Sequence, residues 1–124
     1  MHENKANTFF TKEIYDTQIA LNVNADVLER IHRSNATATS LPIEFFFVSD
    51  GEEKLKKLGL YLLAEFPAYI GLKVEPYEDK FELAGTTHSI KMDLASVNEW
   101  NQKMWDIGYQ FDCKLDGWQV EHQN

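Results

Sequence analysis

LPIEFFFVSDGEEKLKKLG, residues 41–59, changes its apolar period from that of a strand to that of a helix within a few residues. Ile43, Phe45 and Phe47 alternate on one face, while Phe46 and Val48 help to cover the other, which is the pattern of a central strand. Leu55, Leu58, Leu62 and Phe66 then recur at helical spacing, joined by Gly59 and Leu63, whereas Lys54, Lys57, Tyr61 and Glu65 point elsewhere. Ser49 and Glu52 stand in capping-box spacing ahead of this helix, and Pro67 ends it.

Beyond Pro67 the short period returns. Ile70, Leu72 and Val74 alternate inward with Lys73 and Glu75 outward, Pro76 to Lys80 supplies a turn, and Phe81 to Met92 runs back as the partner strand. The parity of that strand switches midway, from Phe81 and Leu83 to His88, Ile90 and Met92, so Gly85-Thr86-Thr87 must absorb a bulge or bend. Asp93 or Ser96 caps a second helix whose buried stripe is Leu94, Val97, Trp100 or Asn101, Met104 and Ile107, with Gly108 at its C-terminal cap. Tyr109 to Val120 is the last strand region. The order from Leu41 is βαββαβ, which predicts an α+β ferredoxin-like sandwich: a four-stranded antiparallel sheet with both long helices on one face.

Residues 41–124 form this domain, and residues 1–40 precede it as an extension. Asn24 to Arg33 reads as a short extra helix and Asn35 to Ser40 as a linker, while Phe9, Phe10, Ile14 and Leu21 suggest that part of residues 1–23 packs. A chain of 124 residues with 44% hydrophobic residues makes one domain with a core of its own, without staples. Its single cysteine, Cys113, cannot close an internal disulfide, which fits a reducing compartment. The start, MHENKANTFF, carries no signal-peptide pattern, and no apolar run is long enough to span a bilayer, so a cytoplasmic protein is expected.

The net charge is −8, and it is uneven: from Glu75 onward there are ten acids against four lysines. Nucleic-acid binders need cations to displace phosphate counterions, so direct binding of RNA or DNA is disfavoured. The more natural partner is another protein with a basic surface, and a homodimer is left open.

Motifs of catalysis are missing. No Gly-rich phosphate loop, nucleophile elbow or His-Glu-x-x-His helix occurs, and His2, His32, His88 and His122 are scattered. His88 shares a strand face with Ile90 and reads as a satisfied or partly buried residue. Cys113 alternates with Phe111 and Leu115 as a small core residue does. Asp112, Lys114 and Asp116 share the opposite face; paired carboxylates can do acid–base work, but a solvated strand face explains them better. No catalytic residue, cofactor or metal site is assigned. Trp105 lies off the stripe of its helix, at the edge of the core or in an interface.

FFFVSD at residues 45–50, then an amphipathic helix, a hairpin and a helix leading into FDCKLDGW at residues 111–118 together resemble the regulator of ribonuclease activity B family. The resemblance covers about Asn24 to Val120, and its most distinctive motif is Asp116-Gly117-Trp118. It implies a ferredoxin-like α+β sandwich and, for the family's named member, inhibition of endoribonuclease E by protein–protein binding without catalysis. This chain departs from the family pattern at Leu115, where a tyrosine is usual, in lacking a long acidic C-terminal tail, and in a longer N-terminal segment. The departures bear on the ribonuclease partner more than on the fold.

Two geometries suit Asp116-Gly117-Trp118. A two-residue hairpin would set Leu115 opposite Trp118; a single strand would need a bulge at Asp116-Gly117, since apolar parity passes from Phe111, Cys113 and Leu115 to Trp118 and Val120. Local sequence favours the hairpin and the resemblance favours one kinked strand, which is the reading adopted, with Trp118 as a core anchor. Asp112, Asp116 and Trp105 are the candidate partner-binding residues of a non-catalytic regulator or adaptor. The competing readings are a small-molecule-binding or enzymatic domain with a cleft beside the sheet, and an immunity-type inhibitor of a basic toxin.

Overall fold

The computed structural model describes residues 7–18, 29 and 40–120. Its elements are α1 (Lys12–Gln18), β1 (Ser40–Ser49), α2 (Glu52–Glu65), β2 (Ile70–Tyr77), β3 (Lys80–Lys91), α3 (Leu94–Gln110) and β4 (Lys114–Val120). The sheet is antiparallel throughout, in the order β2-β3-β1-β4. That is the ferredoxin-like arrangement, with β1 and β3 in the middle, as the alternation of apolar residues requires. The expected helix at 24–33 lies outside the described residues apart from Glu29, and so does most of the linker that follows. No helix among the described residues is long and apolar enough to cross a membrane.

One core lies between the sheet and the two long helices. Ile43, Phe45 and Phe47 of β1 and Leu83 of β3 meet Leu55, Leu58 and Leu62 of α2 and Val97, Met104 and Ile107 of α3. Burying each such side chain contributes about 1.5–3 kcal/mol. Ile43, Phe45 and Phe47 share one face of β1 and cluster with both helices, and the Phe45 ring lies 5.6 Å from that of Tyr69, in the connection after α2, and 6.3 Å from that of Trp100 on α3. Leu63 and Ile70, expected inward, are both exposed: Leu63 overhangs the β2 edge, where no further strand among the described residues covers it, and the register shift between Ile70 and Lys73 sets Ile70 in the row of Thr86 and Glu44, on the face opposite the long helices.

Both parity switches are bulges. Between β1 and β3 the register jumps from Pro42↔Ser89 to Glu44↔Thr86, leaving Thr87 and His88 opposite Ile43. The buried Thr87 hydroxyl repairs the ladder there, accepting from the Ile43 N–H at 2.9 Å. His88 is exposed rather than satisfied in the core, with its ring 5.8 Å from that of Tyr69. Between β1 and β4, Phe46 faces Gly117 and Phe47 faces Leu115, so Asp116 is the extra residue of a single kinked strand. Gly117 is not among the positive-φ residues, and a Cβ there would meet nothing. Trp118 is half-buried, its ring edge-on to Trp100 at 6.2 Å, and is a rim contact rather than a core anchor.

The helix ends differ from expectation in two places. No capping box forms: Gly51 is the N-cap of α2 without a side-chain bond, because Ser49 is buried at the end of β1 and donates to the Asp112 carbonyl at 2.8 Å. Gly108 is not a cap but lies within the last turn of α3, where a Cβ would run into the Cys113 carbonyl and the Phe47 ring. At the other end Asp93 is the N-cap, accepting from Ser96 N–H at 2.7 Å.

Candidate protein-binding face

The face of the sheet opposite the long helices is where charge gathers. Directly opposed residues of an antiparallel pair share a face, so the register places Lys73, Ala84, Phe46 and Gly117 in one row and Glu75, Glu82 and Val48 in the next. Glu44 stands beside Thr86 and Gln119 in a third. The centre is apolar, with Val48 buried and Phe46 partly so.

Around that centre stand Glu44, Glu75, Glu82 and Asp116. Glu75 and Glu82 face each other across the hairpin, and like charges so placed repel. The Glu82 carboxyl is held above its usual range by partial burial and by the carboxylates of Asp116 and Glu75. Three acids from three strands therefore share one field. The nearby cations answer it only in part: Lys73 pairs with Glu75 at 2.8 Å, while the Lys114 ammonium lies 5.9 Å from the Trp105 ring. Glu44 accepts from the Gln119 amide at 2.7 Å. Such a face carries a negative potential.

Of the three expected partner-binding residues, only Asp116 lies on this face and is exposed. Asp112 is not on a solvated strand face: it sits in the turn between α3 and β4 with φ 60°, and is 7% exposed. Its carboxylate accepts from the backbone N–H groups of Thr8 (2.9 Å), Phe9 (3.0 Å) and Phe10 (2.7 Å), from the Thr8 hydroxyl (2.9 Å), and from the Lys54 ammonium (2.6 Å). Burial alone would raise its pKa, but Lys54 and these backbone donors outweigh it and hold the carboxyl below the usual range. Asp112 is a clasp for the N-terminal segment, and a carboxylate so fully bonded is not poised for acid–base work.

Trp105 is likewise not an interface residue. It is 2% exposed, because the N-terminal segment covers the side of α3 that the sheet does not. Phe10 packs edge-on to its ring at 4.7 Å, and its indole N–H donates to the Tyr15 carbonyl at 3.2 Å. The sequence alone assigns no site role to Glu44, Glu75 or Glu82; their signal is their parity, opposite to that of the core residues on each strand.

Elsewhere the chemistry is quiet. Burial pushes the Cys113 thiol up to about 12, so it stays protonated and inert. A cleft of about 280 Å³ opens beside Tyr69, His88, Glu99, Trp100 and Lys103. Burial holds the Tyr69 phenol above its usual range, and its hydroxyl accepts from the Trp100 indole at 3.2 Å. No group of three or more His, Cys, Asp or Glu among the described residues is arranged to hold a metal ion.

A family model described as "Regulator of ribonuclease activity B" matches residues 21–120, a span that takes in the sheet and both long helices. Comparison with curated proteins finds no match.

Proposed function

The chain belongs to the regulator of ribonuclease activity B family, and on that premise we propose that it is a non-catalytic regulator whose acidic sheet face binds a basic segment of a ribonuclease. The reading extends to an endoribonuclease of the E type, which the family's named member inhibits, and to the cytoplasm, where such an enzyme works. The observation that carries it is the convergence of Glu75, Glu82 and Asp116 from three strands around Val48 and Phe46.

The chemistry of the face supports this reading. A lysine or arginine brought beside Glu82 offsets the burial and the like-charge repulsion that raise its pKa, so binding and ionisation reinforce each other. Phe46 offers an apolar contact at the centre, and the charged rim governs encounter rate and orientation. Inhibition then needs only occlusion or restraint of the enzyme, with no bond made or broken.

The test is RNA cleavage by a purified endoribonuclease E-type enzyme, titrated with the full chain and with Glu75→Lys/Glu82→Lys. The parent is expected to inhibit and the folded charge-reversed variant to fail. Equal inhibition by both would remove this face from the account.

A further inference from the structure

We propose that the free edge of β2 joins a second copy of this chain, forming a two-fold dimer with one continuous eight-stranded sheet. The inference goes beyond the regulatory reading and does not depend on it. It rests on three features of one edge.

The first is backbone. β2 lies at the border of the sheet, and Pro76 faces Phe81 of β3 in an uninterrupted register from Lys73 to Tyr77. Proline has no N–H to give, so Pro76 takes a position whose backbone points away from β3 without loss of a ladder bond. Antiparallel positions alternate, which puts Val74 on the same footing, with its N–H and C=O directed out of the sheet. An outward pair of this kind is a template for another strand.

The second is charge. Lys73 and Glu75 flank Val74 and share the face opposite the long helices. If two β2 strands pair antiparallel about Val74, each Lys73 stands opposite the second copy's Glu75 and each Glu75 opposite its Lys73. The edge is self-complementary about that residue, as a two-fold interface requires. A shift of the pairing by two residues loses this match.

The third is apolar surface on the other face. Leu60 is 69% exposed and Leu63 46%. Leu60 and Leu63 of α2 border a groove of about 340 Å³ floored by Leu72, Val74 and Leu83 and opening along the same edge. Two-fold pairing about Val74 brings the two α2 helices to one side of the joined sheet, where these leucines face each other and leave water. On the opposite side the two acidic faces become one.

Sedimentation equilibrium of the full chain, without any partner, tests the proposal. The parent should sediment at twice 14.4 kDa at about 0.1 mM, a concentration at which even a weak interface is populated. Leu60→Asp/Leu63→Asp should sediment as the monomer while keeping a parent-like circular dichroism spectrum. Lys73→Glu sets four acids together at the two-fold and should weaken the dimer at least tenfold; Lys73→Glu/Glu75→Lys should restore it. A monomeric parent at that concentration overturns the proposal, and so does a dimer indifferent to these substitutions. Because only mass is read, the result is separate from whether a ribonuclease binds.

Discussion

Lys54 and Asp112 are joined at 2.6 Å across the top of the fold, one from the first turn of α2 and the other from the turn that leads into β4. The same carboxylate holds the backbone of Thr8, Phe9 and Phe10, so one side chain ties the N-terminal segment, α2 and β4 together.

Removing that carboxylate should loosen all three elements. Asp112→Asn is expected to lose about 1.5–3 kcal/mol at neutral pH, as for hydrogen bonds to a charged group. The sign with pH follows from the depressed pKa. The stabilisation is complete above the unfolded carboxyl value of about 4 and disappears as pH falls through the lower folded value. Urea unfolding of parent and variant at several pH values should therefore converge below about pH 4. A constant difference across the series would contradict the clasp.

The two tryptophans with contrasting surroundings should respond in order of burial. Trp105→Ala opens a cavity beneath Phe10 and Tyr15 and is expected to cost about 3–5 kcal/mol. Trp118→Ala removes a rim contact with Trp100 and should cost roughly half of that, in proportion to the area it buries. Thermal unfolding of both variants checks this, and a Trp118 variant that melts below the Trp105 variant would be the wrong order.

Backbone demands predict opposite signs at two positions. Gly108→Ala forces a methyl against the Cys113 carbonyl and the Phe47 ring and should cost about 1–3 kcal/mol. Glu78 occupies the β2–β3 turn with φ 56°, a conformation glycine adopts without strain, so Glu78→Gly should gain up to about 1 kcal/mol. Denaturant midpoints of the two variants must move in opposite directions for this to hold.

How far these features were legible depends on the distance between the groups involved. The alternation at Ile43, Phe45 and Phe47 and the helical spacing of Leu55, Leu58 and Leu62 are local, and they were enough to order the elements. The parity change from Leu115 to Trp118 likewise announced a bulge, although the extra residue proved to be Asp116 and Gly117 kept an ordinary φ. Trp105 and Asp112 could not be read in this way. Their partners are Phe10, Tyr15 and Thr8, some hundred positions earlier in the chain. Spacing along α3 shows one apolar stripe; it cannot show that a second face is covered from the N-terminus. The acidic face became visible only once the hairpin register set Glu75 against Glu82.

The acidic face should cost the free domain some stability. Glu82 has a raised pKa from burial and from Asp116 and Glu75, so its ionised form opposes folding above that pKa and the penalty fades as pH falls through it. Glu82→Gln is expected to stabilise the domain at neutral pH by about 0.2–1 kcal/mol, the range of a cross-strand charge pair. Neutral-pH melting of the variant checks the sign; a lower Tm than the parent would mean that Glu82 is held by a favourable contact instead.

Binding by that face is most directly tested by the association rate of the full chain with a purified endoribonuclease E-type enzyme, measured across a salt series for the parent and for Glu75→Gln/Glu82→Gln/Asp116→Asn. Exposed charges are screened beyond about 8 Å at physiological ionic strength. The parent should therefore associate more slowly as salt rises, while the neutralised variant associates slowly at every salt concentration. A parent on-rate that ignores both salt and the three substitutions would contradict the account.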